Sequence, residues 1–419
     1  MGSLRKFDFS VVGELNLDLV LYGLPAELEL DREHIASDMR LTLGSSSAIF
    51  AHNLALLGNR VAFHSAIGAD ALGELCLSRL AESGTDVSAV RKFPDEQTGL
   101  TVILPRPVKR YILTFPGVMA DMRFEDLDLD FVFNARHLHI SSLFLQRALR
   151  PRVAELFRLA KQAGLTTSLD TNDDPDGRWD LDNNIFKHLD VLLPNETEAC
   201  RLANAATPEA ALETLAKQVP LVVMKRGEKG AVAKRGDVEV VSSPFPTQAV
   251  DSIGAGDSFD AGFLHQYIRG ASLEACLRFG NLTGALYCVT VALPFMRSQQ
   301  DGLIIHTASM AGRFIGGVSG PIYVAAKHGI VAMSHGLNME ECVNGIRSTV
   351  FLPGEVATPI LDQRPNPVGP EVRAKMVQPA DCGDLIRYIA GLPKHVVMNE
   401  VHLAPTHNRG YIANLQRRL

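Results

Sequence analysis

Asp251-Ser252-Ile253-Gly254-Ala255-Gly256-Asp257-Ser258-Phe259-Asp260-Ala261-Gly262-Phe263 is a turn of small residues that runs into an apolar helical stretch. Gly254 and Gly256 carry no side chain, so consecutive backbone N–H groups are free to point at one anion, and a helix start adds a favourable dipole. A carboxylate at Asp257, on the first helical turn, is placed to take a proton from a hydroxyl attacking a phosphoryl group in line. A plainer description also fits: a glycine-rich helix start with Asp257 as a capping acid. The stretch alone leaves both open.

Upstream of it, strand-like runs alternate with amphipathic helical segments from Phe9 to about Thr290, the pattern of a mainly parallel sheet covered by helices. Phe9 to Gly13 opens as a strand, Ala48 to Gly58 has apolar residues at helical spacing, and Val61 to Ile67 is again a strand. His137–Ser142, Thr166–Asp170, Val191–Pro194 and Pro220–Lys225 read as short buried strands. Leu100–Leu104 and Arg110–Phe115, with Pro105 and Pro107 marking a turn, read as a hairpin suited to a small lid sheet. Near residues 291–301 the pattern changes, which predicts a boundary between a domain of residues 1–295 and a segment of residues 296–419. There, a strand at Leu303–His306 is followed by a glycine-rich loop, a helix at Tyr323–Asn338, a strand at Ile346–Leu352, and a last helix and strand.

Composition excludes several classes. With 419 residues, 46% hydrophobic and 21% charged, the chain reads as globular and of two or three domains. A net charge of -6, with Lys and Arg scattered, offers no footprint for nucleic acid. No run reaches the apolar length of a membrane span, and the first residues lack a signal-peptide core, so neither membrane nor secretion is expected. Six widely spaced cysteines without a C-x-x-C pair suggest free thiols in a reducing, cytoplasmic setting.

The Asp251–Asp257 stretch resembles the D-[ST]-x-G-A-G-D signature of the PfkB-type, or ribokinase-like, carbohydrate kinases, and the resemblance covers about residues 7–290. It implies an ATP-dependent kinase acting on a hydroxyl of a small sugar or sugar acid. The implied fold is a central, mainly parallel sheet with helices on both faces and a small β lid. Gly254, Ala255 and Gly256 then form the anion hole and Asp257 is the base. Asn195-Glu196-Thr197-Glu198 resembles the family's N-x-x-E motif, which implies Asn195 at the nucleotide and Glu198 at Mg2+ through water, oxygen ligands suited to a hard cation. Lys225-Arg226-Gly227-Glu228-Lys229-Gly230 resembles the nucleotide loop, and Asn281 falls where the family lines the adenine pocket. On the acceptor side, Asn16 and Asp18 suit the hydroxyls of a polyol, Gly44 and Ser45 stand at the family's Gly-Gly turn, and Asp170-Thr171-Asn172 resembles its D-x-N. Where the family places an Asn, this chain has Ile49. The lid strands near Leu100 to Phe115 leave two expectations open, pairing between subunits into a homodimer or an isolated lid that covers the site. Walker A and protein-kinase signatures are absent.

From about Asp301 to Arg409 the chain resembles the back half of the short-chain dehydrogenase/reductase family, on Ser309, Tyr323 and Lys327 and on Pro353-Gly354 with Thr358. In that chemistry a Lys one helical turn from a Tyr lowers the phenol pKa while Ser orients a carbonyl. No strand followed by G-x-x-x-G-x-G lies upstream to cradle a pyrophosphate, so NAD(P) binding is not expected and a fused remnant is.

Overall fold

The structure, a computed structural model, describes residues 5–25, 27–105, 110–243, 254–315, 320–358, 361, 368–409 and 411–412. Asp251, Ser252, Ile253 and Pro107 lie outside them. Two compact units are present: the first holds the described residues up to 243 with 254–284, the second those from 285 onward.

In the first unit, β1 (Phe7–Val12) leads to β2 (Asn16–Tyr22), β3 (Asp38–Leu43), α1 (Ser46–Leu56), β4 (Val61–Gly68), α2 (Ala71–Glu82), β5 (Asp86–Phe93), β6 (Gly99–Pro105) and β7 (Arg110–Phe115). There follow α3 (Leu129–Val132), β8 (Ala135–Ser141), α4 (Val153–Gln162), β9 (Thr166–Asp170), β10 (Val191–Leu192), α5 (Glu196–Leu202), α6 (Pro208–Ala216) and β11 (Leu221–Lys225). The remaining elements are β12 (Ala231–Arg235), β13 (Val238–Ser242), α7 (Ala255–Tyr267) and α8 (Leu273–Gln299). Nine strands form one sheet in the order β13-β12-β11-β10-β9-β8-β1-β4-β5. All neighbours are parallel from β11 to β5, and β12 and β13 close one edge antiparallel. A second sheet, β3-β2-β6-β7, contains the hairpin expected from the sequence, Gly99–Pro105 against Arg110–Phe115.

Period-two patterning explains why helices cover both faces. On β11, Val222 and Met224 join one core with Leu156 and Phe157 of α4 and Leu212 of α6. Leu221 and Val223 join the other, with Phe50 and Leu54 of α1 and Phe259 and Phe263 of α7. Strands β8 and β9 follow the same rule with different chemistry. Leu138, Ile140 and Leu169 face the first core. The alternate residues form a buried ladder: Thr166 Oγ1 to His137 Nδ1 at 2.7 Å, His137 Nε2 to Ser168 Oγ at 2.6 Å, Ser168 Oγ to His139 Nδ1 at 2.7 Å, and His139 Nε2 to Ser141 Oγ at 2.7 Å. Burial drives the His137 pKa down to about 3 and His139 well below its ordinary value, so both rings are neutral. His139 also stacks on Phe50, ring centroids 3.9 Å apart.

The second unit holds three parallel strands in the order β14 (Gly302–Thr307), β15 (Ile346–Pro353), β16 (Glu400–Leu403), with α9 (Pro321–Glu341), α10 (Pro370–Arg373) and α11 (Pro379–Ala390). The C-terminal part of α8 belongs here, where Val289 and Leu293 pack with Ile346, Ile304 and Leu337. The expected boundary near residue 295 therefore falls inside a continuous helix. No helix among the described residues is long and apolar enough to cross a membrane.

Candidate active site

Open parallel sheets present their chemistry beyond the carboxyl ends of the strands. Here Glu14 and Ser142, just past the ends of β1 and β8, lie on the same side as the ends of β9 at Asp170 and β11 at Lys225, with the N-terminus of α7 beside them. A cavity of about 200 Å³ lies in this unit, lined among others by Glu14, Asn16, Asp18, Ser45, Ser46, Thr101, Arg110, Ser142, Gly254 and Asp257.

The lid strand β2 carries two acceptor-side residues. Asn16 and Asp18, two apart, share one face, and both are buried. Asn16 Nδ2 donates to Thr101 Oγ1 of the paired strand β6 at 2.8 Å. Gly44 stands behind Asp18: a Cβ there would lie 2.1 Å from Asp18 Oδ1, so only glycine leaves that carboxylate in place. The next residue, Ser45, adopts φ 71, the left-handed region that costs a side-chain-bearing residue energy. Two bonds offset that cost: Ser45 Oγ donates to the Glu14 carbonyl at 2.5 Å and accepts from Ala48 N at 3.1 Å, capping α1.

On the opposing side, α7 starts from Gly254 in the left-handed conformation, φ 74. Asp257 is buried, and Ser46 Oγ donates to its Oδ1. Burial raises the Asp257 pKa and the charge of Asp170 adds to this, against the Ser46 hydrogen bond and the cations Lys225 and Arg110. One turn along, Asp260 meets Lys225. The Lys225 ammonium lies 2.6 Å from Asp170 Oδ2 and 2.9 Å from Asp260 Oδ2, and a Cβ at Gly256 would sit 3.8 Å from it. Burial pushes the Lys225 pKa down, but the charges of Asp170, Asp260 and Glu198 outweigh it and hold the amine charged. Asp260 is raised well above the usual carboxylate range, foremost by burial. The trio thus sets one ammonium between two buried carboxyl groups, so that the buried cation is paired and hydrogen-bonded.

Other expected site residues are engaged in local contacts. Asn195 and Glu198 form a reciprocal cap of α5: Glu198 N donates to Asn195 Oδ1 at 2.9 Å and Asn195 N to Glu198 Oε2 at 2.8 Å. Glu198 is buried rather than solvated, and burial, then Asp170, push its pKa up to about 7. Asn172, φ 53, accepts through Oδ1 from Ser142 N at 2.8 Å, which ties the ends of β8 and β9 together. Gly227 and Gly230, both at positive φ, bound the turn between β11 and β12. Asn281 Nδ2 donates to Ser242 Oγ at 3.1 Å and to Ser243 O at 3.0 Å. In the second unit, Ser309 caps a short turn by accepting from Ala311 N, and the Lys327 ammonium lies 5.6 Å from the Tyr323 ring centroid. The sequence reading did not single out Glu14, Ser46, Arg110 or Asp260. Asp260 was findable, since it follows Asp257 by three residues on the same helix.

The family model described as pfkB family carbohydrate kinase matches residues 6–292. The chain belongs to that family. A second model, described as short chain dehydrogenase, matches residues 268–368. The ribokinase of Arabidopsis thaliana is 32% identical over 314 residues, 70% of this chain and 79% of that protein. The 5-dehydro-2-deoxygluconokinase of Clostridium perfringens is 27% identical over 300 residues, 67% of this chain and 87% of that protein. Among solved structures, Arabidopsis thaliana ribokinase complexed with ribose and ATP aligns with a TM-score of 0.58 at 27% identity, covering 67% of this chain and 92% of that one. The first unit has the ribokinase-like α/β fold, and the protein is an ATP-dependent carbohydrate kinase that phosphorylates a sugar or sugar acid.

Kinases of this kind receive a divalent cation with the nucleotide. No group of three His, Cys, Asp or Glu able to hold a metal occurs among the described residues. Glu198 beside Asp170, with the unpartnered Oδ1 of Asp260 nearby in the same charged cluster, supplies carboxylate oxygens without a closed cage. That donor set fits Mg2+, which keeps most of its waters and binds chiefly to phosphates.

Removing Lys225 alone strands two buried carboxyls. Lys225→Met is expected to destabilise the first unit by about 3–5 kcal/mol, read as a lowered urea midpoint. A loss under about 1 kcal/mol would show the trio to be no more than a surface-strength pair.

Proposed function

We propose that the kinase binds the sugar in the cavity between Asn16 and Asp18 on the lid side and Asp257 on α7. Asp257 takes the proton of the attacking hydroxyl, and the amides of Gly254, Ala255 and Gly256 face the phosphoryl group. The observation that carries this reading is that Asp18 and Asp257 line one cavity with the α7 N-terminus. Asn16 and Asp18 bind the sugar's vicinal hydroxyls, Gly44 and Ser45 shape that wall, and Asp170 with Asn172 fixes the strand ends behind it. Asn195, Gly227, Gly230 and Asn281 border the nucleotide and Glu198 reaches Mg2+ through water. Lys225, at the start of the nucleotide loop and next to Gly256, holds positive charge behind the cradle on the ATP side. Mg2+ bound to the nucleotide supplies charge neutralisation for the phosphates.

Arg110 extends the reading to the acceptor class. Its guanidinium lines the cavity beside the acidic residues Glu14, Asp18 and Asp257, a pairing that suits an acceptor with a carboxylate as well as hydroxyls. Tyr111, Leu113 and Phe115 point from β7 away from the Arg110 face, each more than half exposed on an edge strand. That apolar edge is the basis for a homodimer formed through the lid. The second unit is read as a fused remnant of a reductase with no nicotinamide cofactor, in a protein that works in the cytoplasm. An NADPH fluorescence titration that saturates would overturn that part.

Asp257→Asn is expected to lower kcat by about 100- to 10,000-fold in a coupled ADP-release assay across sugars and sugar acids. An unchanged kcat sinks the assignment. Because only the ionised carboxylate accepts a proton and its pKa is raised, kcat/KM falls as pH drops through a value above the ordinary 3.8 of aspartate. An acid limb at or below that ordinary value contradicts the reading. Leu113→Glu is expected to convert the dimer to monomer in sedimentation velocity, and a wild-type chain that sediments as a monomer removes the lid interface.

A further inference from the structure

One oxygen of the proposed base carries a hydroxyl from the protein itself. Ser46 Oγ donates to Asp257 Oδ1, and Ser46, Asp257 and Gly254 line the same cavity. A hydroxyl hydrogen-bonded to the general base, beside amides that face a phosphoryl group, is the relation an acceptor's hydroxyl must adopt for in-line attack.

The relation is built into the backbone. Ser46 is the first residue of α1, between two anchored neighbours. Ser45 is held by its bonds to Glu14 O and Ala48 N. Ser47 Oγ donates to Glu14 Oε2 at 2.6 Å and Ser47 N to Oε1 at 3.3 Å. Gly13 permits this arrangement, since a Cβ there would lie 1.9 Å from Ser47 Oγ. A further bond, Asn53 Nδ2 to Ser258 Oγ at 2.8 Å, fixes α1 to α7. Ser46 and Asp257 are therefore set against each other by two helices rather than by one side-chain rotamer.

We propose that Ser46 is an internal acceptor: supplied with MgATP and no sugar, the kinase phosphorylates its own Ser46. The Oγ–H bond breaks and its proton passes to Asp257. The new Oγ–P bond forms as the bond from the γ-phosphorus to the β–γ bridging oxygen breaks, and ADP leaves with that electron pair. The phosphoserine stands at the first position of an eleven-residue helix, where the helix dipole favours an anion. Arg110, lining the same cavity, adds a cation. A phosphate there fills the acceptor cavity, so the modified chain no longer turns over sugar. This rests on Asp257 being the base.

The test incubates the full chain with γ-labelled MgATP without sugar, then maps the label by peptide mass spectrometry. A single phosphoryl group at Ser46 is expected, gained at a rate independent of protein concentration. Ser46→Ala loses the label to background, while Ser46→Thr keeps it at position 46, and melting curves confirm that both are folded. An unlabelled chain, label at another residue, or label retained in Ser46→Ala overturns the proposal. Sugar-dependent ADP release is assayed on the same preparation. Turnover of a sugar without label at 46 rejects the internal acceptor and spares the kinase reading, whereas neither signal rejects both.

Discussion

The Lys225 ammonium, held between Asp170 and Asp260, is the constraint on which the site's geometry turns. These three side chains come from β9, β11 and α7 and tie those elements together. Breaking such a group costs more than its formation gains, because each partner left behind is a buried charge. The position of α7 over the sheet is thereby fixed where the anion cradle begins. The same ammonium lies near Gly256, so the ion group that locates the helix also sets the field at its N-terminus.

The polar ladder of β8 and β9 belongs to the same design. Four hydrogen bonds of 2.6–2.7 Å run up one face and end at Ser141, opposite Asp170 in the strand register. A one-residue slip of β9 against β8 would break the three that cross between the strands and turn Asp170 to the other face. Neutral imidazoles suit this role, since each nitrogen has a fixed hydroxyl partner and no charge needs solvation. Beyond the ladder, Asn172 and Ser142, both at positive φ, tie the two strand ends beside the cavity. Register is thus set by buried polar groups where the floor of the site is made.

The fold was legible in the sequence because its signals are local. Alternating strand and helix patterns, and glycines at a helix start, need no knowledge of distant contacts. The edge strand β13 and the short strand β3 carry no apolar run that would mark a buried strand, being brief and largely exposed or half-buried, and β12 buries only the three residues Ala231–Ala233. In the site, Asp257, Asn16 and Asp18 are expected chiefly from the family resemblance, and the fold brings the three to one cavity. Lys225 was read as part of a nucleotide loop, and its partner Asp170, 55 positions away, is joined to it only by the fold. Asn195 and Glu198 satisfy each other as a helix cap, a role that motif and cap share at one spacing. Glu14, Ser46 and Arg110 are ordinary residues in the sequence, and only the convergence of β1, α1 and β7 on one cavity gives them meaning.

Where the chain changes family is also a matter of packing. The two family models overlap over residues 268–292, and α8 runs unbroken from 273 to 299, about 40 Å. Its first part backs α7 at close range. A Cβ on Gly262 would meet Thr283 Oγ1 at 2.1 Å, and one on Gly280 would meet the Phe259 ring at 2.9 Å. Gly284 fits against Ala255 and Phe259, and Thr283 Oγ1 donates to Ser258 O at 2.8 Å. Glycine in a helix interior costs about 1 kcal/mol each against alanine, so these positions are kept for the close crossing they allow. From 285 onward the helix packs with Ile304, Leu337 and Ile346, residues of the dehydrogenase-like segment. The last small residues that α7 requires come before that change. The close packing that holds α7 against α8 is therefore made by α8 residues up to 284, before the helix turns to its contacts with the second unit's strands.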